Sequence, residues 1–183
     1  MLIVMSGVSG SGKNTIINKL RQSHKELLFF KSATTRPRRE GEENYYYFTE
    51  EEFAFRKGNR EFFETEEVHG YYYGIMNKEL EKIITDTKHD YIKDVDVHGN
   101  QRLRKYLKGK AKMLSIFLDA PDEVLAQRLS GRGECEERIK VRLSRAGMER
   151  ACKGDYDLVI ENIDLDTTVE TIEKAYAKAK KSK

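Results

Sequence analysis

Residues 2–20 read LIVMSGVSGSGKNTIINKL, an apolar run, a glycine-rich turn and an amphipathic continuation. The apolar run is typical of a buried strand, and apolar residues recur at helical spacing after the turn. Between them, Gly7, Gly12 and Lys13 fit the phosphate-loop pattern G-x-x-x-x-G-K. Because a strand-like run precedes the glycines and a helical pattern follows them, the stretch predicts a phosphate-binding loop between a strand and a helix.

Such a loop would bind phosphate mainly through its backbone. Glycines let N–H groups point inward at a helix N-terminus, which carries partial positive charge. Lys13 adds a mobile full charge. Glycine-rich turns between a strand and a helix also occur without a ligand, so this alternative stays open beside the phosphate-loop interpretation.

Asn14 departs from the phosphate-loop pattern, which has Ser or Thr there to bring a hydroxyl to Mg²⁺. Thr15 follows it, but one step along a helix turns a side chain by about 100°, so Thr15 is no simple substitute. An amide oxygen can still bind a hard cation. The property that Asn14 affects is therefore the affinity for Mg²⁺ or the rate.

Length and composition indicate one domain, or one domain with inserts, with a sizeable core in 183 residues. The 34 Lys and Arg against 31 Asp and Glu give a mixed surface of net charge +3, which does not by itself indicate a nucleic-acid partner. Lysines near the C-terminus could be a nucleic-acid-binding tail, but a solvated helix end is the simpler interpretation.

Cysteine content and hydropathy favour a cytoplasmic protein. Cys135 and Cys152 are too few and too far apart in sequence for a zinc site or a disulfide framework. The chain starts directly in its first strand without a leader pattern, and no apolar run reaches the length of a membrane span. We therefore expect a reduced, soluble protein of the cytoplasm with no membrane partner.

Alternating strand-like and helical stretches predict a parallel sheet with helices on both faces, whose ligands gather at the strand C-termini. Two capping boxes, at 49–52 and 167–170, mark helix starts. Asn77 is predicted to cap a third helix, and Pro121 is predicted to open a fourth. The other predicted strands cover residues 27–32, 91–97, 113–119 and 158–160.

The middle third is richer in aromatic residues and acids, with two aromatic runs around a predicted turn at residues 69–70. Its tyrosines could be the core of a small sheet, or some could line a pocket for a planar polar ligand. Before it, Arg36, Arg38 and Arg39 crowd a loop. They could form a solvated turn, but beside a phosphate loop we favour a clamp for a second phosphate.

Two further groups point to phosphate chemistry. Asp94 and Asp96 lie two residues apart in a predicted strand, hence on one face, where carboxylates could hold Mg²⁺ or its waters. Gly131 and Gly133 lie between arginines, and the next helix carries a stripe at 138, 142 and 145. These features predict a lid that closes over phosphates; the alternative is a solvated helix with ion pairs to nearby glutamates.

Six segments, spread in the same order along nearly the whole chain, resemble those of the guanylate kinases. They are GVSGSGK (7–13), SATTRPRREGE (32–42), EFFETEEVHGYYYG (61–74), DVDVHG (94–99), RLSGRG (128–133) with Arg142, and YDLVIEN (156–162). The resemblance implies a P-loop α/β kinase with a core (1–31, 86–126 and 154–183), a small mixed-sheet GMP-binding region (32–85) and a helical lid (127–153).

It also implies transfer of the γ-phosphoryl group of ATP to GMP, with Mg²⁺ and with dGMP left open as an acceptor. The implied ATP-binding residues are Gly7, Ser9, Gly10, Ser11, Gly12, Lys13, Asn14, Thr15 and Asn162. The implied GMP-binding residues are Ser32, Arg36, Arg39, Tyr46, Glu64, Tyr73, Asp94 and Asp96. The implied catalytic residues are Lys13, Arg39, Arg128, Arg132 and Arg142, and the implied metal residues are Asn14 and Asp96.

Two departures from the family pattern concern the acceptor. Ile75 stands where the family usually has a Ser or Thr that hydrogen-bonds the guanine edge, which should loosen base choice without abolishing it. The loop between Gly41 and Tyr46 is shorter than usual, so the assignment among Tyr45, Tyr46 and Tyr47 is open by one place.

Two other functions compete with this one. A non-catalytic guanylate-kinase-like interaction module would typically lack the phosphate-loop lysine and the lid arginines, which are present here. A kinase for another phosphorylated acceptor would fit Ile75 and Asn14 but not Glu64, because the N1 of adenine accepts a hydrogen bond rather than donating one. We expect a monomer or a weak homo-oligomer.

Overall fold

The computed structural model describes residues 1–68 and 70–181. Its strands are β1 (Leu2–Gly7), β2 (Leu27–Phe29), β3 (Ser32–Thr34), β4 (Tyr45–Tyr47), β5 (Phe62–Val68), β6 (Tyr71–Met76), β7 (Asp90–Asp94), β8 (Met113–Asp119) and β9 (Leu158–Glu161). Its helices are α1 (Lys13–Ser23), α2 (Glu50–Gly58), α3 (Asn77–Thr85), α4 (Val97–Leu107), α5 (Asp122–Ser130), α6 (Glu136–Arg150) and α7 (Leu165–Lys181), with a 3₁₀ turn at Lys153–Asp155.

Five strands form the core sheet in the order β2-β7-β1-β8-β9, and every pairing in it is parallel. The phosphate loop follows β1, the central strand, so it lies at the carboxyl edge of this sheet. The predicted parallel sheet is confirmed.

A second sheet has the order β4-β3-β6-β5 and is mixed, because β3 pairs with β4 in parallel and with β6 antiparallel. The predicted turn between its long strands includes Gly70, whose φ is +79°, whereas His69 lies outside the described residues. The small mixed sheet implied by the resemblance is confirmed.

The core lies on both faces of β1 because successive strand side chains point to opposite faces. Ile3 and Met5 pack with α1 and α7, whereas Leu2 and Val4 pack with α3 and α4. Phe30 belongs to the second of these clusters and lies just before β3. This cluster therefore joins the core sheet to the second sheet.

Three predicted boundaries are wrong. The strand at 27–32 is two strands in different sheets, separated by Phe30 and Lys31. The last helix starts at Leu165, before the 167–170 motif, and the Asp164 carboxylate accepts a hydrogen bond from the Thr167 N–H at 2.8 Å. Asn77 is the first residue of α3 rather than its cap.

The other predicted capping box, at Thr49 and Glu52, is confirmed with both of its reciprocal hydrogen bonds.

Within the described ranges, no helix is both long enough and apolar enough to cross a bilayer.

Candidate functional site

The phosphate loop is built on glycines that no other residue could replace without strain. Gly7, Gly10 and Gly12 have φ of +138°, +88° and +96°. A Cβ at Gly7 would lie 1.9 Å from the Leu118 carbonyl oxygen on β8, and one at Gly12 would lie 2.6 Å from the Asn162 amide nitrogen. The loop is thus pressed against its neighbours, which fixes its backbone N–H groups at the start of α1.

Lys13 folds back over this loop. Its Nζ donates hydrogen bonds to the carbonyl oxygens of Gly7 at 2.6 Å and Val8 at 3.1 Å. Burial lowers the pKa of Lys13, and the charges of Glu149 and Asp94 partly oppose that shift. A cation held by two neutral carbonyls can move to phosphate oxygens with a gain in charge pairing.

The side chain of Asn162, for which the resemblance implies a contact on the adenine side of ATP, makes two hydrogen bonds within the protein. Its buried side chain donates to the Ser11 carbonyl oxygen at 2.7 Å and accepts from the Thr168 hydroxyl at 2.9 Å. Both ends of the amide are therefore engaged with the protein. The structure shows Asn162 as a brace that holds the phosphate loop to β9 and α7.

The candidate magnesium groups lie at two helix starts. Asn14 and Thr15 are exposed in the first turn of α1. Asp96 was expected to lie on a strand, but β7 ends at Asp94. Asp96 instead caps α4, and its Oδ1 accepts from the Gly99 N–H at 2.6 Å. The predicted common strand face of Asp94 and Asp96 is therefore wrong.

The donor chemistry of these groups fits Mg²⁺, since an amide oxygen and a carboxylate oxygen are hard ligands. Among residues 1–68 and 70–181, no three His, Cys, Asp or Glu side chains form a group able to hold a metal ion. A magnesium ion here would thus need nucleotide phosphates and water as its other ligands, which is usual in phosphoryl-transfer sites.

The predicted lid contacts the loop through one arginine. Arg142, on α6, donates to the Ser9 hydroxyl at 2.7 Å and pairs with Glu134 at 2.6 Å. Arg132 is exposed but close enough for its charge to lower the pKa of Lys13, after the larger effect of burial. Arg128 donates to the Ile163 carbonyl oxygen at 3.3 Å.

A cleft of about 830 Å³ lies where the second sheet meets the carboxyl end of β7. Its lining residues come from six elements, β3 to β7 and α4, and include Ser32, Tyr45, Glu64, Tyr73, Ile75, Lys93, Asp94, Asp96 and Arg102. The fold thus gathers five of the eight residues implied for GMP binding, along with Tyr45, Ile75, Lys93 and Arg102.

One part of the cleft is suited to a base. The Glu64 carboxylate on β5 is an acceptor, and the Arg102 guanidinium donates to its Oε2. Ser32 is buried on β3, and Lys93 donates to its hydroxyl at 2.6 Å. Ile75 is 4% exposed and packs with the second core cluster, so it supplies no donor.

A group suited to a phosphate lies at the side of the cleft, where Arg36 adjoins the lining residue Tyr45. Arg36 pairs with Glu42 at 2.6 Å, and its guanidinium carbon lies 5.6 Å from the centroid of the Tyr45 ring. The Tyr45 and Tyr73 rings are 6.1 Å apart, edge to face. Burial, aided by the charge of Asp94, raises the pKa of Tyr45 to about 12, so its hydroxyl stays a neutral donor.

Two implied residues lie elsewhere. Because side chains alternate along β4, Tyr46 faces away from Tyr45, and its hydroxyl donates to the Glu79 carboxylate at 2.9 Å. Tyr46 and exposed Arg39 line a separate groove together with Lys82. The structure therefore places Tyr46 and Arg39 outside the cleft, and of the three neighbouring tyrosines among which the assignment was open, Tyr45 lines the cleft.

A family model described as guanylate kinase matches residues 1–179 of this chain. The chain belongs to the guanylate kinase family. A guanylate kinase of Porphyromonas gingivalis is 41% identical over 183 residues, which cover 96% of each protein. One of Bacteroides thetaiotaomicron is 41% identical over 179 residues, which cover 94% of this chain and 86% of that protein.

The fold agrees with this assignment. A crystal structure of guanylate kinase from Anaplasma phagocytophilum matches 100% of this chain and 87% of its own, with a TM-score of 0.74 and 28% sequence identity. The resemblance noted from six sequence segments and the α/β fold class are confirmed.

Sequence reasoning missed two residues of the cleft, Arg102 and Lys93, and left Tyr45 open among three neighbouring tyrosines. Arg102 was obscured by a helix rich in basic residues. Lys93 did carry a signal, because a lysine in the middle of a central, otherwise buried strand must find partners. The partners themselves, Ser32 and the Phe30 carbonyl oxygen, come from a strand junction that the sequence did not predict.

Proposed function

We propose that this protein transfers the γ-phosphoryl group of ATP to GMP and so forms ADP and GDP. The observation that carries the proposal is the cleft, which is lined by a carboxylate acceptor, Glu64, and by Tyr45 and Tyr73, with Arg36 beside Tyr45 as a group suited to phosphate. It also connects to the phosphate loop, since Asp94 lines the cleft and its charge acts on Lys13.

We assign the two parts of the acceptor by their chemistry. The Glu64 carboxylate would accept from the N1–H and the 2-amino group of guanine, two adjacent donors that adenine does not offer. Arg36 would pair with the phosphate of GMP, because a guanidinium matches phosphate oxygens in a bidentate manner. Tyr45 and Tyr73 would add neutral hydroxyl donors. Asp94 would lie as a polar group between GMP in the cleft and ATP on the phosphate loop.

Transfer itself requires positioning and charge neutralisation more than covalent chemistry. The loop N–H groups and Lys13 would hold the β- and γ-phosphates of ATP. Arg142 already contacts the loop from the lid, and Arg128 and Arg132 would join it when the lid closes. No general base is needed, because the attacking phosphate oxygen of GMP is already ionised.

Mg²⁺ would supply further charge neutralisation at the transferred phosphoryl group when it enters with ATP. The residues that would hold it or its waters are Asn14 and Asp96. We further propose the division into core, GMP-binding region and lid given above, a cytoplasmic location and a monomer or weak homo-oligomer.

A coupled ADP-release assay tests the proposal. ATP and Mg²⁺ are supplied with GMP, dGMP, IMP, AMP, CMP or UMP in parallel, and Lys13→Met, checked for folding by circular dichroism, is the inactive control. We expect turnover to be fastest with GMP. Absence of turnover with every acceptor, in a folded protein, would contradict the proposal and favour an interaction module, whereas preference for another acceptor would reassign the cleft.

A further inference from the structure

Lys93 is a charged side chain in a place that normally excludes charge. It lies in β7, between β2 and β1 in the core sheet, and it is 6% exposed. Tyr91 and Ile92 beside it are buried as well. A buried ammonium persists only where hydrogen bonds and charge replace its lost hydration, so the partners of Lys93 define its role.

These partners lie in the strand junction between the two sheets. Lys93 Nζ donates to the Ser32 hydroxyl at 2.6 Å and to the Phe30 carbonyl oxygen at 3.4 Å. The rings of Phe29 and Phe30 lie 5.8 and 5.3 Å from it. Lys93 thus connects a core strand to the strand that carries Ser32, and both side chains line the acceptor cleft.

The contact has a directional consequence for Ser32. A serine hydroxyl has one hydrogen to donate, and an ammonium can only donate. Because the Ser32 oxygen accepts from Lys93, its own hydrogen is available to another acceptor. A full positive charge next to the oxygen also makes that hydroxyl a stronger donor.

The surrounding charges keep Lys93 protonated at neutral pH. Burial lowers its pKa to about 8, and the carboxylates of Asp94, Glu64 and Glu79 oppose a larger shift. These groups belong to β7, β5 and α3, so they face the ammonium from three elements. At pH 7 most molecules therefore carry the charged, donating form.

We propose that Lys93 is a positioning residue that fixes the Ser32 hydroxyl as the donor to the 6-oxo group of the acceptor purine. In this role it provides the recognition of the guanine edge that Ile75, with no hydroxyl, does not provide. The inference rests on the proposed GMP kinase activity and specifies which residues set its base choice at the 6-position.

The test compares acceptors that differ at one atom or group. 6-Thio-GMP keeps the N1–H and the 2-amino group but replaces the 6-oxygen by sulfur, a weak acceptor. IMP keeps the 6-oxygen but lacks the 2-amino group, so the GMP-to-IMP ratio of kcat/KM reports on Glu64 instead. The variants are Lys93→Met, which keeps the length without the charge, and Lys105→Met, the same change at an exposed position on α4.

We expect the wild type to prefer GMP over 6-thio-GMP by about tenfold in kcat/KM, toward the upper end for one hydrogen bond between neutral groups, because the neighbouring ammonium makes the Ser32 hydroxyl a stronger donor. Lys93→Met should reduce this ratio to about two or less while leaving the GMP-to-IMP ratio unchanged. Lys105→Met should match the wild type. In a Ser32→Ala background, Lys93→Met should have no further effect on the ratio, because the two residues act as one unit.

A purely structural role for Lys93 would lower stability without changing the preference for oxygen over sulfur. An unchanged GMP-to-6-thio-GMP ratio in Lys93→Met would therefore overturn the inference and leave the kinase activity standing. Absence of GMP turnover by the wild type would overturn the proposed function, and this inference with it.

Should Lys93→Met fail to fold, the wild type provides the readout. In lysine-labelled protein, the ε-methylene NMR signal of Lys93 should shift more on saturation with GMP than with 6-thio-GMP. Equal shifts would overturn the inference.

Discussion

Glu64 has a defined position before any substrate binds. The Arg102 guanidinium on α4 donates to Oε2, so the carboxylate is oriented by a neighbouring helix as well as by its own strand. A carboxylate that is already oriented loses less conformational entropy when it binds a base. At the scale of one residue, the pair of Glu64 and Arg102 would let a flexible side chain recognise a purine edge, as we propose.

Replacing Glu64 by Gln should therefore affect the acceptor and spare the donor. We expect Glu64→Gln to raise the KM for GMP by about tenfold or more, because an amide has only one acceptor oxygen for the N1–H and the 2-amino group of guanine. The KM for ATP should stay within about twofold of the wild-type value. Steady-state kinetics with each substrate varied in turn measure both values. Glu67→Gln, an exposed change on the same strand, is the control, and equal increases in the two KM values would count against the assignment.

Asn14 carries a separate prediction. If its amide oxygen replaces the usual hydroxyl near Mg²⁺, Asn14→Ser should lower the Mg²⁺ concentration that gives half the maximal rate, by about threefold. Asn18→Ser, an exposed change one turn later on α1, should have no effect. A Mg²⁺ titration of the rate that coincides for Asn14→Ser and the wild type would show that residue 14 is not a ligand.

Motifs predicted individual residues well where the backbone dictates their place. Lys13 follows from the glycine spacing, and the loop forms as expected at the end of β1. Tyr46 and Asn162 were assigned to ligands, but the structure gives them protein partners. A sequence cannot supply such information, because a side chain's partner depends on which strand face it occupies and on elements far along the chain.

At the scale of elements, α6 is attached to the core by a cluster of charges at the end of β8. The Asp119 carboxylate pairs with Arg150 at 3.0 Å and with Lys153 at 2.6 Å, and Arg150 also reaches the Ala120 carbonyl oxygen at 2.9 Å. Burial raises the pKa of Asp119, but these hydrogen bonds outweigh it and leave the pKa below its usual value.

Asp119→Asn should consequently destabilise the fold by about 2 kcal/mol, since it leaves Arg150 and Lys153 without their buried counter-charge. Urea unfolding at pH 7 measures the loss. Asp122→Asn, which changes a carboxylate whose side chain is 55% exposed, should cost no more than about 0.5 kcal/mol. Equal effects of the two changes would contradict the anchoring role of Asp119.

The same pair of variants gives a pH dependence. Because the folded-state pKa of Asp119 lies below its unfolded value, its contribution is complete above about pH 4 and is lost as the pH falls through the folded pKa. The stability of the wild type should thus fall more steeply below pH 4 than that of Asp119→Asn. Parallel curves from urea unfolding at pH 2.5–5 would show that this group is not responsible.

Element types were predictable from apolar runs and turn residues, but some boundaries were not. The stretch at 27–32 looks like one hydrophobic strand in the sequence. In the structure, Phe30 packs in the core cluster that joins the two sheets, so β2 ends at Phe29 and β3 begins only at Ser32. Asp96 and Asp164 each start a helix, because a short acidic side chain can accept from a free backbone N–H. A periodicity analysis does not distinguish such a cap from a strand residue.

At the scale of the whole molecule, the cleft exists because two sheets meet. Ser32, Glu64 and Lys93 come from β3, β5 and β7, and the cluster around Leu2 and Phe30 holds those elements together. The parallel core sheet could be predicted from the alternating pattern of strands and helices. The contact between Lys93 and Ser32 could not, because it depends on how one sheet packs against the other.

The most direct test of the central claim is ³¹P NMR of one reaction mixture that contains the protein, ATP, GMP and Mg²⁺. We predict that the signals of ATP and GMP decline together while those of ADP and GDP grow in equal amounts, without release of inorganic phosphate. ATP that stays intact, or that yields ADP and inorganic phosphate while GMP is unchanged, would contradict the claim that the cleft presents GMP to the phosphate loop.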